Sequence, residues 1–278
     1  MKLCIRPHDV GKNETADTLG QKIAELGFDG VQLAIAKAIR DNDGSPAALT
    51  SSAVAEIRRG FNSHGVEIPI LGAYFNPVHS NAEKVRAGAE KFADHLKKAR
   101  DFGATLVASE TGSYNDDKWT YNPQNHSEEA FSRVVNVFAP LAQIARDSGA
   151  LCSVEGAWHH CIYSPEQMAR LLREIDTGAV RVTVDIFNYL NAENYENRRA
   201  ILERCLELFG SKIAIFHIKD FTVQDGKLQE VALGRGIMGW SELLPIIKNA
   251  VPSAYLVFEG VRELDKSLPY FRSLLASL

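Results

Sequence analysis

Eight short apolar runs alternate with eight stretches of helical periodicity along the chain, and this alternation limits the possible folds more than any other feature. The runs are KLCIRP, GVQLAIA, EIPILGAYF, ATLVASETG, LCSVEGAWHH, VRVTVD, KIAIFHIKD and AYLVFE. The helical stretches run from Glu14 to Leu26, Ala47 to His64, Asn81 to Phe102, Ser127 to Asp147, Pro165 to about Ile175, Glu196 to Phe209, Ser241 to Asn249 and Ser267 to Leu278. Their boundaries carry physical signals: Ser164 is an N-cap with Pro165 in the first turn, and Gly27, Gly65, Gly103 and Gly210 stand just past helix ends. Strict alternation predicts parallel strands joined by helical crossovers. The strands are too apolar to keep one face wet, and 278 residues is the length of a closed barrel. The predicted fold is therefore α/β, a single (β/α)8 barrel over residues 1–278. An open doubly wound sheet is the alternative, and the absence of G-x-G-x-x-G after the first strand counts against it.

Four of the later runs end on the same kind of side chain. Glu155 closes LCSVE, Asp185 closes VRVTVD, His217 lies near the end of KIAIFHI, and Glu259 follows AYLVF. Carboxylates often follow strands as helix N-caps, but Gly156 and Gly260 come directly after the two glutamates, so capping explains them poorly. Period-two alternation puts Ser153 with Glu155, Thr183 with Asp185, Ile215 with His217 and Lys219, and Val257 with Glu259, each set on one face of its strand. In a barrel these faces converge on the axis. Three carboxylates and one imidazole brought together would repel one another, and a divalent cation is the usual remedy. An oxygen-rich set of this kind suits Mn²⁺, Mg²⁺, Co²⁺ or Zn²⁺.

Composition removes other classes. With 45% apolar and 24% charged residues, the chain is not disordered. A net charge of −4 and the lack of any run of five basic residues argue against a nucleic-acid or membrane-surface partner. The four cysteines form no C-x-x-C pair and fall in or near predicted core elements, which predicts reduced thiols and a cytoplasmic protein. Arg6 and His8 come too early for a signal-peptide apolar core, and no apolar run reaches membrane-spanning length. A homo-oligomer is compatible with the sequence.

The strand-end motifs SVEG, VDIFN, FHIKD and FEG, in that order, resemble those of the sugar phosphate isomerase/epimerase family, the xylose isomerase-like barrels. The resemblance runs over nearly the whole chain. It implies one divalent metal held by Glu155, Asp185, His217 and Glu259. It further implies that Glu155 and Glu259 act as acid and base on a small sugar or related polyhydroxy carbonyl compound. In the family's epimerases a histidine stands three positions after the metal aspartate; here that position is Asn188.

An outer set of candidate substrate contacts comprises Lys219, on the inward face after His217, Arg235 in the LGRG loop, Asn188, Glu110 at the end of the fourth run, and His160. His8, Gln32, Asn76, His79 and His159 read more simply as surface or core residues. The segment Ser113 to His126, rich in Asn and Asp and without periodicity, reads as a long loop on the catalytic face. The leading function is metal-dependent isomerisation or epimerisation through an enediolate, and dehydration of a similar substrate shares its first step. An apurinic-site endonuclease of the same barrel type would need more histidines and a basic groove, and a barrel that binds sugar or metal without turnover is a third class.

Overall fold

The computed structural model describes residues 1–278. Strands β1 (Leu3–Ile5), β2 (Gly30–Leu33), β3 (Glu67–Gly72), β4 (Leu106–Glu110), β5 (Leu151–Glu155), β6 (Val180–Asp185) and β7 (Ile213–Ile218) are parallel neighbours in sequence order. The hairpin strands β8 (Asp220–Gln224) and β9 (Lys227–Val231) follow, and β10 (Tyr255–Phe258) then closes the barrel between β7 and β1. The closing ladder pairs Leu3 with Leu256, Cys4 with Val257 and Ile5 with Phe258.

Alternation along the strands divides the apolar side chains between two cores. Cys4, Ile70, Leu106, Ala108, Ile215 and Val257 fill the barrel interior. The hydroxyls of Ser153 and Thr183 meet there at 2.9 Å, which satisfies two buried polar groups. The other strand faces pack against the helices. Phe258 is fully buried, with edge-to-face partners Phe28 and Phe271 both at 5.4 Å, and its truncation to Ala would cost about 3–5 kcal/mol.

The principal helices are α2 (Ala16–Leu26), α4 (Ser51–Asn62), α5 (Ala82–Phe102), α6 (Glu128–Ser148), α7 (Pro165–Glu174), α8 (Arg198–Phe209), α9 (Trp240–Ala250) and α10 (Leu264–Ala276). Single-turn helices α1 (Pro7–Val10) and α3 (Ile35–Ala38) leave the first two strands. Side-chain caps set several starts: Thr15, Thr50, Asn81, Ser127 and Ser164 each accept an N–H from the first turn. The caps at Thr15 and Thr50 explain why α2 and α4 begin after Glu14 and Ala47. No helix is long and apolar enough to cross a membrane. All four cysteines are free and buried, and burial pushes the Cys152 thiol up to about 12.

One segment departs from the sequence reading. The stretch after Asp220, expected to be a loop, is the antiparallel hairpin β8–β9. Its turn is Asp225-Gly226, both at positive φ (49° and 71°), the backbone that a two-residue hairpin with right-twisted strands requires.

Candidate metal centre

The four strand-end residues meet at the C-terminal mouth of the barrel. Glu155 and Asp185 are the last residues of β5 and β6, His217 is the penultimate residue of β7, and Glu259 follows β10 directly. One donor atom from each lies within 4.8 Å of all the others. Atoms bound to one ion at about 2.1 Å are at most about 4.2 Å apart, so a contraction of a few tenths of an ångström would suffice to hold it.

The donor atoms approach closely without satisfying one another. His217 Nδ1 lies 2.7 Å from Glu259 Oε2, 3.4 Å from Glu155 Oε2 and 4.0 Å from Asp185 Oδ2. Yet His217 Nδ1, Asp185 Oδ2 and Glu259 Oε2 are buried with no aligned hydrogen-bond partner. Buried polar atoms are rarely left so, and these three aim at a shared centre. The residues fit a divalent cation.

The imidazole is prepared for that role from behind. His217 Nε2–H donates to Gln32 Oε1 at 3.1 Å, and the Gln32 amide donates in turn to the Tyr74 hydroxyl. With Nε2–H held by Gln32, Nδ1 is the nitrogen turned to the carboxylates and the one that would bind an ion.

The surrounding charges are unequal. Lys219 Nζ lies 2.9 Å from Asp185 Oδ2 and 3.1 Å from Glu259 Oε2. Arg6, 253 positions away in sequence, donates to Glu259 Oε1 and forks onto Asp9 at 2.8 and 3.0 Å. Asp9 also accepts the Gly260 N–H at 2.8 Å, so α1 locks Glu259 from across the closing seam. Burial alone would raise the Glu259 carboxyl, but His217, Lys219 and Arg6 hold it well below the usual range. Burial dominates at Asp185, pushed up to about 6 against the opposing Lys219 charge, and at Glu110, raised to about 8 by burial and by Glu155 and Glu259. Burial opposes the charged form of His217, yet Glu259 and Glu155 raise its pKa well above the ordinary imidazole value.

The family model described as a xylose isomerase-like TIM barrel matches residues 21–274. The chain belongs to this family. No curated protein matches it. Among solved structures, a xylose isomerase-like TIM barrel protein from Mycobacterium smegmatis in complex with magnesium is similar, at 16% identity and a TM-score of 0.78, covering 99% of this chain and 97% of its own. A D-psicose 3-epimerase crystallised in the presence of D-fructose aligns at 17% identity and a TM-score of 0.69, over 93% of this chain and 84% of its own. The probable 3-DHS dehydratase AsbF from Bacillus anthracis aligns at 13% identity and 0.75, over 99% of each chain. At these identities the likeness concerns the fold.

Within this xylose isomerase-like barrel the outer candidates divide. Asn188, in the turn after β6, donates its side-chain amide to Glu155 Oε1 at 2.6 Å. Glu110 pairs in register with Glu155 across β4–β5, and its Oε2 lies 3.5 Å from His160 Nε2. His160 is buried, and neither ring nitrogen has a hydrogen-bond partner. Arg235 stands apart: it is more than half exposed and pairs with Glu263 at 3.3 Å. Arg6 and Asp220 are absent from the sequence candidates and Gln32 reads there as a surface or core residue, although Arg6 and Gln32 sit at or near the ends of β1 and β2, where the strand-end signal applies to them too. Asp220 is the anchor of the hairpin. Its carboxylate accepts the backbone N–H groups of Phe221, Gly234, Gly236 and Met238 at 2.9–3.1 Å.

Proposed function

We propose that this barrel is a divalent-metal-dependent isomerase or epimerase of a small sugar or related polyhydroxy carbonyl compound. The observation that carries the reading is the pair Glu155 and Glu259 converging with Asp185 and His217 on one buried point, their free donor atoms aimed inward. These four residues would hold Mn²⁺, Mg²⁺, Co²⁺ or Zn²⁺. Such an ion supplies Lewis-acid polarisation of a carbonyl and neutralises charge that develops on its oxygen.

The chain's own groups would do the proton work. Glu155 and Glu259 approach the centre from different strands, so one can take a proton from the carbon next to the carbonyl while the other returns one. Asn188 fixes the Glu155 carboxylate by its 2.6 Å hydrogen bond, and Arg6 fixes that of Glu259. Lys219 brings a buried positive charge beside the same oxygens and is suited to a substrate hydroxyl or an incipient oxyanion. We assign Glu110 and His160 to the inner substrate contacts, and Arg235, in the loop after β9, to an outer one.

Dehydration is the second reading, and Glu110 favours it. With its carboxyl raised to about 8, it is protonated at neutral pH and could donate that proton to a departing β-hydroxyl.

Incubation of the metal-loaded protein with a panel of ketoses in D₂O tests the proposal. Deuterium should enter the substrate pool at the carbon next to the carbonyl. Glu155→Gln or Glu259→Gln should cut labelling by at least about a hundredfold, the scale of general-base catalysis. Loss of water with an unsaturated product would select the lyase reading. Turnover without label would refute proton abstraction, and cleavage of abasic DNA would overturn both readings.

A further inference from the structure

Beside the acid cluster lies a cavity of about 670 Å³ that the proton chemistry does not use. It opens among the segments that follow β4, β5 and β6 and the β8–β9 turn, all on the catalytic face. The four candidate ligands do not line it. Asn188 does, and the same side chain donates to Glu155, so one residue borders both the cavity and the reaction centre. Phe187 makes a second link, lining the cavity with its ring centroid 5.7 Å from Lys219 Nζ.

The walls are built. Tyr121 and Trp158 stack on one another with centroids 5.3 Å apart and planes 22° from parallel, an aromatic platform with an outer ring face free for a ligand. The platform is tied at its back: the Trp158 N–H donates to the Asn188 carbonyl at 2.8 Å, His126 Nε2 meets the Trp158 carbonyl at 2.8 Å, and the buried Asn125 amide donates to the His159 carbonyl at 2.7 Å. Tyr121 is nonetheless 44% exposed, an apolar face held open to solvent by a framed loop. Around the rings stand Asn191, Glu193 and Lys227, which supply donors and acceptors at the rim.

A flat aromatic surface with a polar rim matches a pyranose ring, whose C–H face is apolar and whose edge carries hydroxyls. A single small sugar at the acid cluster would leave this volume empty, because it falls in the ~300–1,000 Å³ range of pockets for larger ligands. We propose that the substrate is a glycoside: the ring bearing the carbonyl sits at Glu155 and Glu259, and a second pyranose ring packs on the outer face of the Tyr121–Trp158 stack. This rests on the isomerase reading for the position of the first ring.

Calorimetric titration with non-reacting probes tests it: methyl β-glucoside, methyl β-cellobioside and phenyl β-glucoside. The two-sugar probe should bind at least about tenfold more tightly than the one-sugar probe, the effect of engaging an aromatic anchor. Trp158→Ala should remove that advantage, and Tyr121→Ala, at a more exposed site where folding is not at risk, should reduce it. Equal affinity for the one- and two-sugar probes would overturn the inference, as would an advantage that survives Trp158→Ala. Tighter binding of the phenyl glucoside than of the cellobioside would overturn the assignment of the second ring as a sugar. The two readings fail separately: missing deuterium exchange with a retained two-sugar preference would sink the isomerase reading alone.

Discussion

Replacing Asp220 by alanine should destabilise the protein more than any other single change on the catalytic face outside the acid cluster. The carboxylate gathers four backbone N–H groups from both ends of the β8–β9 excursion. Two of these bonds, to Phe221 and Met238, are buried; those to Gly234 and Gly236 are only partly so, and water can replace them. A buried donor left without a partner costs about 1–3 kcal/mol, so the two together cost roughly 2–6 kcal/mol. For a chain of this length each kcal/mol moves the melting temperature by about 2 °C, which predicts a fall of about 4–12 °C. Asp220→Asn keeps an oxygen at Oδ1, the acceptor of both buried N–H groups, and should show much less of that loss. The chain passes close to the carboxylate at Gly236, where a Cβ would collide with it and with the Phe221 carbonyl. Differential scanning calorimetry measures the shift. A fall of less than about 1 °C in Asp220→Ala would show that water satisfies all four groups and refute the reasoning.

Three further outcomes are expected. Protein purified without chelator should carry divalent metal that Asp185→Asn loses, and at a free ion concentration of about 100 Kd the bound ion should add about 2.7 kcal/mol of stability, read as a lower melting temperature on stripping. Gln32→Leu removes the acceptor behind His217 Nε2 and should weaken metal affinity by about 10–100-fold with the fold intact, measured by competition with a chromophoric chelator. His95, fully buried on α5, has its pKa lowered by burial to about 4 from an ordinary 6.5. Between those values only the unfolded chain takes up the proton, so stability should fall as pH drops from about 6.5 to 4, by up to about 3 kcal/mol. His8 and His159 are lowered by burial in the same way, so His95→Phe should reduce the slope of urea-derived stability across that window without abolishing it, and an unchanged slope would contradict a neutral buried imidazole.

The alternation of apolar runs and helical periodicity was enough to determine the barrel, because period two and period 3.6 are local properties that any eight-unit parallel arrangement must satisfy. The placement of Glu155, Asp185, His217 and Glu259 on one face at strand ends was legible for the same reason. The hairpin was written in Asp225-Gly226, but its alternation is weak: β9 is mostly exposed or half-buried, so hydrophobic pattern alone does not reveal it. What only the tertiary structure decided is which side chains meet. Arg6 reaches Glu259 because β1 pairs with β10 at the closing seam, and Gln32 reaches His217 across 185 positions because both point into one barrel mouth. Asn188 reads in the sequence as a candidate substrate contact and is, in space, the hydrogen-bond donor that orients Glu155. The aromatic cavity is likewise assembled from four separate connections, none distinctive by itself. Spacing along a chain determines which face of an element a residue occupies; closure of the barrel determines its neighbours, and the charge and hydrogen bonding of the site follow from those neighbours.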